Sequence, residues 1–105
     1  MLFLKPKKDV NEGVKEYKNT PNAVLIDVRT PKEYEFARIP KSVNLPLAKL
    51  KSTHKLISDK TTPIFVYCTN GGRADRAVKR LQRMGYQNVK SIGGINRYRG
   101  KVEQG

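Results

Sequence analysis

The run Ile64-Phe65-Val66-Tyr67-Cys68 passes through Thr69-Asn70-Gly71-Gly72 directly into a segment whose apolar residues Ala74, Ala77, Val78, Leu81 and Met84 recur at helical spacing. A short apolar run followed by a glycine pair and an amphipathic helix reads as buried strand, tight loop and helix, the unit from which parallel sheets are built. The helix stops at Gly85, a residue suited to the C′ position, and its basic side is turned to solvent. The strand Ile64 to Tyr67 thus delivers Cys68 to its carboxyl end, where open parallel sheets bind ligands.

The rest of the chain alternates helical and extended patterns in the same way. Asp9 caps a helix carrying Val10, Val14 and Tyr17 that ends near Asn19-Thr20-Pro21, and Ala23 to Val28 reads as a buried strand. In Thr30-Pro31-Lys32-Glu33 a cap residue, a proline at the first helical position and a glutamate at the third form a capping box, so a short helix begins at Pro31. Val43 to Pro46 is extended, with weaker helical stretches from Leu47 to Leu50 and from His54 to Ile57. After the polar turn Asp59 to Pro63 and the central strand and helix, Val89 to Ile92 is the last strand, and a short terminal helix carries Ile95 and Tyr98. Phe3 is assigned to a small edge strand beside it. The expectation is one α/β domain over residues 1–105, its core at about 9–98, with a mostly parallel central sheet of about five strands flanked by helices.

Composition narrows the chemistry. One cysteine in 105 residues excludes an intramolecular disulfide and a multi-cysteine metal site, and the lone His54 excludes a histidine-rich one. No metal and no organic cofactor is expected. No apolar run approaches membrane-spanning length, and Met1-Leu2-Phe3-Leu4 is cut short by Lys5-Pro6-Lys7-Lys8. The chain reads as a cytoplasmic monomer. Against 22 lysines and arginines stand 9 aspartates and glutamates, a net charge of +13 that attracts anions of any kind: a sulfur oxyanion, an acidic protein or nucleic acid. The spread of lysines along the whole length favours a solvated surface over a dedicated nucleic-acid site, although Arg73, Arg76, Lys79, Arg80 and Arg83 cluster just after the loop.

Cys68 is the first candidate for chemistry. A free cysteine at a strand end often serves as a small buried hydrophobe. The adjacent glycines weigh against that here, because a plain strand-to-helix connection does not need their backbone freedom. Loop amides and the helix N-terminus point partial positive charge at the sulfur, and Arg73 adds a full one, which favours thiolate as the working form. A positive charge in a helix's first turn opposes the helix dipole, so Arg73 calls for an anionic partner nearby. Asp27 and Arg29 sit at the end of their own strand and are read as supporting residues. In that reading Arg29 pairs with Glu33, and Asp27 accepts backbone hydrogen bonds beneath the loop. His54 is read as a surface or packing residue.

These residues resemble a single-domain rhodanese, a sulfurtransferase module. The resemblance runs from about Asp9 to Tyr98. It rests on Leu25-Ile26-Asp27-Val28-Arg29 with Glu33-Tyr34, on Ile39-Pro40 with Asn44-Leu45-Pro46, on Tyr67-Cys68 with Arg73, and on Gly85-Tyr86, Val89 and Gly93-Gly94-Ile95. It implies that Cys68 takes sulfane sulfur from thiosulfate or another persulfide donor, becomes a persulfide, and passes the outer sulfur on. The acceptor would be cyanide, a small thiol, or a thioredoxin-like or sulfur-carrier protein. Thr69, Asn70, Gly71, Gly72 and Arg73 would form the substrate-binding loop, with Arg73 stabilising the anion. With no second thiol in the chain, the sulfur must leave to another molecule.

The pattern has departures. Ala37-Arg38-Ile39-Pro40-Lys41-Ser42 stands where the family commonly has Gly-His before Ile-Pro and Gly-Ala after it, and Tyr98 stands where tryptophan is common. The loop also lacks a cation between Cys68 and Arg73, which members that use thiosulfate well often carry; Arg38 or Arg76 are the compensating candidates. Four residues separate Cys68 from Arg73. Related phosphatases and arsenate reductases have a loop one residue longer, which makes those activities the weaker enzymatic reading. The rival from another class is a non-catalytic module whose basic face, Arg76 to Arg83, docks an acidic partner or RNA.

Overall fold

The computed structural model describes residues 8–105. Helix α1 (Val10–Lys18) starts on Asp9, whose carboxylate accepts the Asn11 backbone N–H. Strand β1 (Val24–Asp27) leads to α2 (Pro31–Phe36), which opens on the expected capping box between Thr30 and Glu33. Strand β2 (Val43–Asn44) is followed by a 3-10 turn (Leu47–Ser52) and α3 (Thr53–Leu56). Strand β3 (Ile64–Cys68), helix α4 (Gly72–Arg83), strand β4 (Val89–Gly94) and a 3-10 turn (Ile95–Arg97) complete the order.

These four strands pair in parallel, in the order β2-β1-β3-β4. Among the described residues the sheet has four strands rather than about five; the edge strand assigned to Phe3 lies outside the described residues. The strand that carries Cys68 is central, flanked by β1 in the register Asp27↔Tyr67 and by β4. Between Val66 and Cys68 the register with β4 shifts, so Cys68 comes to stand opposite Gly94. That shift carries β4 two residues past the expected end at Ile92.

Strand alternation sorts the core. Ile64, Val66 and Cys68 point to the face covered by α4 through Ala74, Ala77 and Leu81, whereas Phe65 and Tyr67 point to the face covered by α1 through Val10 and Val14. Cys68 therefore shares its side of the sheet with the helix that follows it. His54 is exposed, its Nδ1 within 2.7 Å of the Lys51 carbonyl, in keeping with a surface residue. No helix among the described residues is long and apolar enough to cross a membrane. Lys41, where glycine is common in the resembling family, holds φ +70°. A side chain in that left-handed conformation costs on the order of 1 kcal/mol.

Candidate active site

The Cys68 side chain is fully buried at the floor of the loop. Two backbone amides donate to its sulfur, Gly71 N at 2.9 Å and Ala74 N at 3.4 Å. Gly71 makes this geometry because it holds φ +106°, turning its N–H inward immediately before α4 begins. The first turn of a 12-residue helix thus faces the sulfur with unshared N–H groups and the positive end of its dipole. The arrangement suits an anionic sulfur and needs no side-chain base.

Arg73 makes no hydrogen bond to the sulfur. Its guanidinium forms a fork with Glu33, Nη1 donating to Oε1 at 2.8 Å and Nη2 to Oε2 at 2.9 Å, and Nη2 also donates to Thr69 Oγ1 at 3.1 Å. Thr69 Oγ1 in turn donates to Glu33 Oε2 at 3.1 Å. Glu33 is thus the anion that the charge on Arg73 called for. Its carboxylate binds both ends of the loop, Thr69 and Arg73, to the start of α2. The Arg73 hydrogen bonds, aided by the Thr30 backbone and hydroxyl, hold the Glu33 carboxyl well below the usual carboxylate range against a smaller opposing effect of burial.

The pairing of Arg29 with Glu33 is corrected. Arg29 is buried and pairs with Asp27, Nη2 to Oδ2 at 2.8 Å and Nε to both oxygens at 3.1 Å, while the Arg29 backbone N–H donates to Asp27 Oδ1 at 2.8 Å. Nη2 also donates to the Ala37 carbonyl, and Asn44 Nδ2 donates to the carbonyls of Asp27 and Arg29. Asp27 accepts one backbone N–H, that of Arg29, and not the expected backbone hydrogen bonds beneath the loop. The pair forms a closed strut between β1, β2 and the end of α2.

Two residues stand out that the sequence reading gave no role. Tyr67 is fully buried next to Cys68, its hydroxyl accepting the Ile39 N–H at 3.1 Å and lying 3.0 Å from Ser42 Oγ. Burial first, and then the charge of Asp27, keep that phenol protonated well above its ordinary range. A tyrosine inside an apolar run was the available signal, since a buried hydroxyl needs a partner. Gly94 is the second. A Cβ there would lie 2.1 Å from the Thr69 carbonyl oxygen and 2.6 Å from Asn70 Cα. The Asn96 N–H donates to that same Thr69 oxygen at 3.1 Å, so the end of β4 presses on the loop and the turn that follows it pins the loop. The double glycine was its only mark in the sequence.

The Glu33 clamp has a pH signature. Its folded pKa lies below the ordinary value of 4.5, so the ionised carboxylate stabilises the fold above that pH, and the contribution fades as pH falls from there toward the folded value. The stability difference between wild type and Glu33→Gln is expected to be about 1 kcal/mol or less, because the pair is partly exposed. It should be fully present at neutral pH and shrink as urea unfolding is repeated at pH values progressively below 4.5. A difference that stayed constant with pH would show that the clamp contributes by shape alone.

The family model of the rhodanese-like domain matches residues 10–101. Thiosulfate sulfurtransferase PspE of Escherichia coli is 34% identical over 71 residues, which cover 67% of this chain and 68% of that protein. Adenylyltransferase and sulfurtransferase uba4 of Ogataea parapolymorpha is 34% identical over 97 residues, 91% of this chain but 25% of that protein. The chain thus spans about a quarter of the length of such relatives. Among solved structures, a rhodanese with anions from E. coli superposes with a TM-score of 0.74 at 30% identity, covering 79% of this chain and 99% of that one.

Proposed function

From the premise that the chain belongs to the rhodanese-like domain family, we propose that it is a sulfurtransferase carrying sulfane sulfur on Cys68. The observation that carries the reading is the buried Cys68 sulfur held by the amides of Gly71 and Ala74 at the N-terminus of α4. In the first half-reaction the Cys68 thiolate attacks the sulfane sulfur of the donor. The S–S bond of the donor breaks, and the leaving group departs with the bonding pair, as sulfite from thiosulfate or as a thiolate from a persulfide. In the second, the acceptor attacks the outer sulfur of the Cys68 persulfide, the S–S bond breaks, and the Cys68 thiolate returns. No outside oxidant or reductant is consumed. Main-chain amides stabilise the anion at each stage because they need no reorganisation.

The roles of the loop follow. Gly71 lets backbone approach the sulfur, Gly72 opens α4 behind it, Thr69 and Arg73 close the loop against Glu33, and Arg73 acts as a positioning residue rather than a direct anion ligand. With Arg73 committed to Glu33 and no cation at positions 69–72, a persulfide donor fits the site better than the dianion thiosulfate. Asp27 and Arg29 support the strand ends from below.

The test is intact-protein mass after reduced protein meets thiosulfate or glutathione persulfide, then cyanide, beside Cys68→Ser. The expected result is a gain of one sulfur on the wild type alone, more complete with the persulfide donor and removed by cyanide. Retained loading in Cys68→Ser, or no loading from either donor on folded protein with a free thiol, would refute the proposal and favour a non-catalytic module.

A further inference from the structure

Basic residues are spread along the chain, but the acidic ones are not, so the net positive charge is segregated by sequence. Residues 36–58 and 76–102 contain no aspartate or glutamate, and they carry five and eight lysines and arginines, together as many as the net charge of +13. The fold packs parts of these two stretches together: α4 lies against the Leu47–Ser52 turn, and Arg80 Nη1 donates to the Leu47 carbonyl.

Along α4, Arg73, Arg76, Arg80 and Arg83 are spaced by three, four and three residues, which places them on a single stripe. Arg73 begins that stripe at the loop over Cys68. Arg76, Arg80 and Arg83 continue it for about 10 Å at 1.5 Å per residue. All three are exposed, as are Lys49 and Lys51 on the adjoining turn, and none of the five is ion-paired among the described residues. The only acid on α4, Asp75, is already bound to Lys8 at 2.6 Å. Like charges gathered on one face repel each other, an arrangement that a partner of opposite charge relieves.

We propose that this ridge docks the protein with which Cys68 exchanges sulfur, and that the partner offers an acidic surface, with carboxylates at helical spacing, beside its own sulfur-bearing end. The proposal rests on the sulfur-carrier reading of Cys68 and adds the class of partner. A partner lying along the ridge has its leading end at the loop mouth, and a chain with one cysteine must hand its sulfur to another molecule. Among the described residues the large exposed apolar ones are Phe36, Val43, Leu56 and Val102, none of them on α4, so the described ridge lacks the aromatic platform on which single-stranded nucleic acid stacks. That favours an acidic protein.

Three labelled probes test this by fluorescence anisotropy on the full chain: a helical peptide with glutamates at i, i+4 and i+7 and a terminal cysteine, its glutamine counterpart, and an RNA hairpin. At low salt the acidic peptide is expected to bind about tenfold tighter than the glutamine peptide, with the advantage lost near 0.5 M salt. Arg80→Glu with Arg83→Glu should bring that ratio close to one, and Arg80→Gln with Arg83→Gln should lower it part of the way, each variant first shown folded by circular dichroism. Equal binding of the two peptides, an advantage that survives the charge reversal, or tighter ridge-dependent binding of the RNA would overturn the proposal. Sulfur loading of Cys68, read separately by mass, fails or succeeds independently of these arms, so loss of the carrier reading and loss of the docking surface are told apart.

Discussion

Asp27→Ala is expected to destabilise the fold by about 3–5 kcal/mol, the range for breaking one side of a buried ion pair. The Arg29 side chain is 6% exposed and that of Asp27 0%, so neither charge has water to fall back on. Without Asp27, Arg29 keeps only the Ala37 carbonyl as a hydrogen-bond acceptor, beside the face of the Tyr67 ring at 5.8 Å, and the Arg29 backbone N–H loses its acceptor as well. Against the roughly 5–15 kcal/mol of a typical domain, such a loss leaves little margin. Urea unfolding followed by circular dichroism measures it. The double variant Asp27→Ala with Arg29→Met should recover much of the loss, because the isolated cation rather than the missing bond is the main cost. A single-variant loss below about 1 kcal/mol would mean that water reaches the guanidinium and the strut is not closed.

Gly94→Ala is expected to cut sulfur loading of Cys68 roughly a hundredfold, the scale on which a displacement of about an ångström acts on a reacting centre. The new methyl would meet the Thr69 carbonyl oxygen at 2.1 Å and its carbon at 2.5 Å. Both are main chain, so the loop itself must move and take the Gly71 amide off the sulfur. Gly72→Ala is the steric contrast within the same loop: its Cβ would meet only Asn70 Oδ1, at 3.7 Å, and the variant should keep the stability of the wild type. The initial rate of mass gain from glutathione persulfide, with stability measured alongside, separates a displaced loop from a weakened fold. Wild-type loading in Gly94→Ala would show that the loop yields without losing its grip on the sulfur.

The elements whose signals are local were legible in the sequence. Asp9 and the Thr30-to-Glu33 box opened their helices as expected, Gly85 followed the end of α4, and Cys68 ended its strand at the loop. What was not legible depended on how distant segments meet. The short spacing between Arg29 and Glu33 suggested a pair, yet Glu33 reaches Arg73, 40 residues away, because α2 packs beside the loop. Arg29 instead turns back to Asp27, two residues earlier. The register shift opposite Cys68 and the contact at Gly94 have no pattern of their own in a single sequence. They exist only once β4 lies against β3.

The complete burial of the Cys68 sulfur has a consequence for the resting protein. A sulfur at the bottom of a backbone pocket is shielded from disulfides, whose sulfurs are both substituted, more than from a persulfide donor, whose outer sulfur is terminal, so slow capture as a mixed disulfide is expected. In the proposed persulfide a second sulfur atom would lengthen that side chain. The proposed persulfide would thus offer its surroundings a different face from the empty carrier, its outer sulfur standing nearer the surface than that of Cys68.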